Sequence, residues 1–332
     1  MIDLALKIYV AGHQGLVGSA IVRRLKQFGY KNIVTRNFRE LDLRIQQDVQ
    51  DFFSYERPDY IFLAAAKVGG IQSNFQYPAD FIYDNLVIQT NVIHASYKYG
   101  VKKLLFLGSS CIYPRVCFQP IKEECLLAGP LEETNKAYAI AKIAGITMCQ
   151  SYNRQHGTRF ISCMPTNLYG PGDNFDLVHS HVLPALLRKF YEAKKSGKKE
   201  VVVWGSGTPR REFLYVNDLA DALVFLMNHY EGSEIINIGT GEDVTISELA
   251  RQIKEVVGFK GKIVFDKSKP DGTTRKLLDV SRIKKLGWKS SITLENGIRR
   301  TFDWYISNCR DVRLQQTESS LKQEKEREKS CM

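Results

Sequence analysis

The sequence predicts an α/β fold: a doubly wound parallel sheet with helices on both faces, joined to a second, smaller α/β domain. Three observations carry this. Short strand-like runs alternate with helix-period runs through the first half of the chain. A glycine-rich turn separates the first predicted strand from the first predicted helix. After Met164 the pattern breaks into turn residues, and the later elements are shorter.

In order, residues 7–11, 32–35, 60–64, 103–107 and 159–164 read as strands, and 16–28, 79–99 and 137–156 carry helical periodicity. The stretch Pro165-Thr166-Asn167-Leu168-Tyr169-Gly170-Pro171-Gly172 falls at a strand's carboxyl end, where sheets of this kind bind ligands. Thr245-Ile246-Ser247-Glu248 has capping-box spacing and predicts a helix to about residue 257, and 262–266 reads as a strand. No repeat of solenoid period is present. The predicted division is 1–170 with 212–241 as the first domain and 171–211 with 242–308 as the second. Beyond them, 309–332 is a charged tail of Gln, Glu, Lys and Arg, expected to be solvated and poorly ordered.

A chain of 332 residues with 44% hydrophobic content buries a substantial core, which excludes disorder as its overall state. The net charge of +11 raises the question of nucleic acid, but the basic residues are scattered and no recognised nucleic-acid module is present. A site for two diphosphates would also favour a positive body. Seven cysteines, with no Cys-x-x-Cys pair, support neither a disulfide framework nor a zinc site, and a reducing, cytoplasmic setting fits best. Lys7 interrupts the apolar start, which therefore reads as a first strand rather than a signal peptide, and no run is long enough to span a bilayer.

Glycines 12, 15 and 18 form a Gly-x-x-Gly-x-x-Gly turn whose missing side chains let backbone amides approach a pyrophosphate at a helix N-terminus. Any strand-to-helix turn can need glycine, so the signal gains its weight from context. The second strand ends Val34-Thr35-Arg36-Asn37-Phe38-Arg39, with no acid for ribose hydroxyls, so a 2′-phosphate is tolerated and NADPH is favoured. Tyr138 and Lys142 stand four apart on one helix face, where the ammonium is expected to favour the phenolate. Tyr99/Lys103 and Tyr191/Lys195 share that spacing; what separates 138/142 is that it follows Ser109, at the end of the fourth strand, which is placed to hydrogen-bond a substrate oxygen that Tyr138 protonates. Cys111, two residues on, suits acid/base work if nearby positive charge lowers its pKa, although a free cysteine is more often a small buried hydrophobe. His179 and His181 lie just after the turn-rich stretch, and nothing in the residues alone chooses between them.

These residues resemble the extended short-chain dehydrogenase/reductases, and within them the nucleotide-sugar epimerase/dehydratase group. The similarity runs from about Lys7 to Trp304. Its more specific markers are Ala64-Ala65-Ala66-Lys67-Val68-Gly69-Gly70-Ile71, Gly108-Ser109-Ser110-Cys111-Ile112-Tyr113-Pro114, Tyr138-Ala139-Ile140-Ala141-Lys142-Ile143-Ala144-Gly145, Met164-Pro165-Thr166-Asn167-Leu168-Tyr169-Gly170-Pro171 and Val203-Trp204-Gly205-Ser206-Gly207-Thr208. The resemblance implies a Rossmann-like dinucleotide domain and a nucleotide-sugar substrate domain. It also implies conversion of GDP-4-keto-6-deoxy-D-mannose to GDP-L-fucose, by C3/C5 epimerisation and then NADPH reduction at C4. Ser109, Tyr138 and Lys142 would form the reductase trio and Cys111 with His181 the acid/base pair, with His181 chosen because Ser180-His181-Val182 matches the family pattern.

Cofactor contacts would come from Gly12, Gly15, Leu16, Val17, Gly18, Arg36, Arg39, Leu41, Asp42, Ala64, Leu107, Gly108, Ser109, Lys142, Pro165, Asn167, Leu168 and His181. Substrate contacts would come from Lys189, where relatives carry Arg, and from Trp204, Arg211 and Asp271, and members are typically homodimers. Two departures matter. Gln14 stands where relatives commonly have Arg, and Phe38 where an arginine is expected; both usually serve the 2′-phosphate, so NADH stays open unless Arg36 or Arg39 takes over. Other readings are a 4-epimerase or 4,6-dehydratase of the same group and, from another class, a cofactor-sensing binding protein without turnover. Cys111-Ile112 occupies the place where dehydratases carry acids.

Overall fold

The computed structural model describes residues 3–177, 180–269 and 271–308; the 309–332 tail and His179 lie outside them. Strand β1 (Ile8–Ala11), apolar throughout and buried at every residue, runs through the glycine turn into α1 (Leu16–Gln27). Strand β2 (Ile33–Val34) is shorter than the predicted 32–35. Asn37 accounts for where the chain turns away: its side-chain carbonyl accepts from the N–H groups of Arg39 and Glu40, and the Glu40 carboxylate accepts from its own N–H. Helix α2 (Gln46–Glu56), not predicted, buries Val49, Phe52 and Phe53, a spacing of three and four amid Gln and Asp.

Next come β3 (Tyr60–Leu63), α3 (Ile71–Gln76), α4 (Pro78–Lys98), β4 (Lys103–Leu107), α5 (Lys136–His156) and β5 (Phe160–Pro165), each within a residue or two of its expected place except the unpredicted α3. Helix α5 lies unusually close to β4, because a Cβ on Gly145 would stand 2.4 Å from the Phe106 ring. That approach brings Lys142 to the end of β4. The remaining elements are β6 (Asn167–Tyr169), α6 (Val182–Lys195), β7 (Glu200–Trp204), β8 (Arg210–Arg211), β9 (Phe213–Tyr215), α7 (Val216–His229) and β10 (Ile236–Ile238). They are followed by β11 (Val244–Thr245), α8 (Ile246–Val257), β12 (Lys262–Asp266), β13 (Arg275–Lys276) and α9 (Ser281–Lys285). Helix α8 opens on the anticipated capping box of Thr245 and Glu248 and ends at Gly258.

The main sheet is parallel, in the order β10-β5-β4-β3-β1-β2. Winding reverses at β1, so a crevice opens between the carboxyl ends of β1 and β3. Three small sheets, β11-β8-β13, β12-β7 and β6-β9, lie apart from it. Buried apolar residues form two clusters. One surrounds the main sheet; the other joins α6, α8, Tyr169, Phe175 and the helical stretch 294–308. Among the described residues no helix is long and apolar enough to cross a membrane.

Candidate active site

At the switch point, Gly12 leaves β1 with φ +82°, and a Cβ there would stand 2.7 Å from the Ala65 nitrogen after β3. A Cβ on Gly18 would meet the Gly12 carbonyl at 2.1 Å. Both glycines are therefore obligatory for a turn this tight. Gly15 caps α1 without a side chain, with Leu16 and Val17 in the first turn, so no side chain caps the helix's first N–H groups. The Nδ1 atom of His13 is buried without a partner among the described residues. A cradle of bare backbone donors plus an orphaned ring nitrogen fits a pyrophosphate.

Beside it, Gln14, Asn37, Phe38 and Arg39 line a shallow pocket. The two arginines that sequence left equivalent differ here. Arg36 is engaged by Glu56 and lies over the Phe52 ring, whereas Arg39 is exposed in the pocket wall. Leu41 is buried, and the Asp42 carboxyl is held below its usual range by Arg44, 2.8 Å away. Along the crevice, the Ala64 N–H donates to Ala11, and Gly108 leaves no space for a Cβ against Met164 Sδ, at 2.4 Å. Pro165 closes β5, while Asn167 Nδ2 donates to the Glu212 carbonyl at 2.8 Å beside Leu168.

Ser109 starts a single 3-10 turn, Ser110–Ile112, and its Oγ accepts from the Cys111 N–H at 3.3 Å. Opposite, Lys142 is buried and donates from Nζ to the Leu107 carbonyl at 2.8 Å. That ammonium lies 5.7 Å from the Tyr138 ring centre, and burial pushes its pKa down to about 8. The phenolate expected at Tyr138 is not what this environment favours. Burial pushes the hydroxyl well above its usual value and negative charge at Cys111 adds to the effect, so Tyr138 holds its proton.

Cys111 lines a cleft with Tyr113, Gln119, Glu132, Arg275 and Lys276. Burial raises its thiol, against the lowering pull of Lys276, Ser109 and Lys142. His181, the residue preceding α6, opens onto solvent yet is ringed by protein, and both desolvation and Lys276 keep its imidazole below the ordinary value. The thiol and the imidazole thus share one cationic neighbour.

The four predicted substrate residues form a strip. Lys189 Nζ lies 4.9 Å from the ring centre of the exposed Trp204, and Asp271 accepts from the Ser206 N–H at 2.6 Å, two residues beyond that ring. Arg211 is desolvated and feels Asp271, and it pairs in register with Lys276 across β8 and β13. Lys276 was missed by sequence reasoning. Its place follows from pairing between two-residue strands more than sixty positions apart, a contact with no local signature.

The model of the NAD dependent epimerase/dehydratase family matches residues 8–239, from β1 through β10. The chain belongs to that family. Among its relatives, GDP-L-fucose synthase 1 of Arabidopsis thaliana is 61% identical over 308 residues, 93% of this chain and 95% of that protein. GDP-L-fucose synthase of Escherichia coli K12 is 55% identical over 311 residues, covering 91% and 97%. The structure of a GDP-L-fucose synthetase from Naegleria fowleri bound to NADP superposes with a TM-score of 0.87 at 33% identity, covering 93% and 97%. The glycine cradle, the Ser109–Tyr138–Lys142 group, Trp204 and Arg211 fall within the matched region, while Lys276, on β13, lies beyond it.

Proposed function

We propose that this chain makes GDP-L-fucose from GDP-4-keto-6-deoxy-D-mannose, inverting C3 and C5 and then reducing C4. The observation that supports this most is the meeting of two chemistries in one crevice: a neutral, buried phenol beside a lysine, and a thiol and an imidazole facing a common cation. The reading assigns 1–170 and 212–241 to the dinucleotide and 171–211 and 242–308 to the GDP-sugar. Trp204 with Lys189 at the far end of the strip suits a base and its diphosphate, and Arg211 continues the positive path toward the sugar.

The C4 ketone acidifies the hydrogens on C3 and C5. Cys111 and His181 remove each proton from one side and return one to the other, with Ser109 and Tyr138 donating hydrogen bonds to the C4 oxygen as enolate charge builds there. A reduced nicotinamide, when bound, supplies the hydride for C4. Tyr138 then gives its proton to the C4 oxygen, a transfer its raised affinity for protons opposes in the resting site and Lys142 assists once it is charged. NADPH is the favoured cofactor, with Arg39 rather than Arg36 answering the 2′-phosphate, since Glu56 already occupies Arg36. A homodimer in the cytoplasm completes the reading. Purified protein given NADPH and GDP-4-keto-6-deoxy-D-mannose should oxidise the cofactor in step with substrate loss; no oxidation would remove this assignment.

A further inference from the structure

Lys276 lines one cleft with Cys111, and its charge acts on both Cys111 and His181. Lys276 is half-buried, and its Nζ makes no hydrogen bond or ion pair with any described residue. The backbone around it is nevertheless held from several directions. Leu277 N–H donates to Gln119 Oε1 at 2.8 Å, the Ile121 N–H donates to the Leu277 carbonyl at 2.8 Å, and Leu278 N–H donates to the buried Glu212 carboxylate at 3.1 Å. Leu277 and Leu278 are themselves buried. So much fixing of the strand, ending in an ammonium left uncommitted in the cleft that holds the thiol, implies a task for the charge.

We propose that Lys276 is a positioning residue for proton transfer: its charge in the cleft acts through Cys111 and His181, lowering the proton affinity of both and so setting the pH range in which one of the pair holds a proton while the other is free to take one. This rests on the reading of those two residues as the proton-transfer pair. The other charged and titratable groups around them are Tyr138 and Lys142 on α5, Arg211 on β8, Arg275 on β13, and Arg115 and Glu132 on the loop that closes the cleft. Arg115 is paired to Glu132 at 3.3 Å, and Lys142 is committed to Leu107, which leaves Lys276 as the cation facing both proton carriers. Desolvation, and to a lesser extent Arg211, lowers its own proton affinity, and the charge at Cys111 and at Glu132 offsets only part of that.

The sign of the effect does not depend on which residue is base and which is acid. Removing a cation raises the thiol pKa and, by relieving repulsion, the imidazole pKa. In Lys276→Met both limbs of the pH profile for C3/C5 exchange with solvent should therefore move to higher pH, by about one pH unit at a surface-like effective dielectric. Lys276→Arg should return the limbs to their original positions. Reduction of an already epimerised GDP-4-ketosugar, which does not use the pair, should keep its profile in both variants. If Lys276 only gripped the diphosphate, KM would rise for both half-reactions and every limb would stay in place, which overturns the proposal.

A second measurement needs no sugar substrate. Iodoacetamide alkylation of Cys111, followed by peptide mass spectrometry against pH, should reach its half-maximal rate at higher pH in Lys276→Met than in the parent and in Lys276→Arg. Identical midpoints in all three proteins would sink the role of Lys276 while leaving the assigned activity standing. Absent turnover with shifted midpoints would do the reverse.

Discussion

Tyr138 shows how burial resets a side chain's chemistry. Spacing to Lys142 argues for a phenolate, but desolvation outweighs one ammonium 5.7 Å from the ring and leaves a neutral proton donor. Ser109, Cys111, Tyr138 and Lys142 could be singled out in the sequence because each sits at a fixed offset from a strand end or on one helix face, whereas His181 was chosen over His179 only by the resemblance. Lys276 and Glu132 could not be singled out, since they reach the cleft only through tertiary pairing. Cys111→Ser should lower solvent-hydrogen exchange at C3 and C5 by about 100-fold or more while reduction of a pre-epimerised ketone stays within a few-fold. Equal losses in the two assays would refute the division of labour.

Asp173 supplies a test of stability. Burial raises its carboxyl to about 7, and Oδ2 has no partner among the described residues. The folded state keeps this proton up to about 7, whereas an unfolded chain releases it near 3.8, so the unfolded state binds fewer protons across that window and stability falls as pH rises through it. Asp173→Asn should thus melt about 3 °C above the parent near pH 8 and alongside it near pH 4, by calorimetry. A gain that did not vary with pH would point to packing instead.

At the scale of elements, what sequence revealed tracks the length of the periodic run. Helices α1, α4 and α5 and the five central strands carry enough period to be placed within a residue or two. Helix α2 carries its three apolar residues at helical spacing, but so many polar neighbours mask the period that no helix is predicted there, and β8, β11 and β13, two residues each, are too short to have any period. In the proposed reading, cofactor binding depends on the first turn of α1. In Gly18→Ala the new methyl meets the Gly12 carbonyl, and a backbone atom cannot swing aside, so the loop must open. Isothermal titration should find NADPH bound at least about 10-fold more weakly, a loss of about 1.4 kcal/mol. Unchanged affinity would mean the cradle is not where the pyrophosphate sits.

Across the whole molecule, function depends on how the two apolar clusters are joined. Glu212, fully buried, is the joint: its carbonyl accepts from Thr166 and Asn167 at the end of β5, and its carboxylate accepts from the N–H groups of Gly241 and Leu278. Those bonds tie the main sheet to the strands bearing Arg211 and Lys276, and Cys111 past the end of β4 lines one cleft with Arg275 and Lys276 of β13. Alternation of strand and helix made the main sheet legible, whereas the joint lies in contacts between distant segments that periodicity does not encode.

The central claim is that one cleft carries out both the inversions and the reduction. Proton and carbon NMR of the product formed from GDP-4-keto-6-deoxy-D-mannose and NADPH in deuterated water tests it most directly. The account predicts an L-fucosyl product with solvent deuterium at both C3 and C5 and cofactor-derived hydrogen at C4. A reduced sugar that keeps the D-manno configuration with no deuterium at either carbon would contradict it.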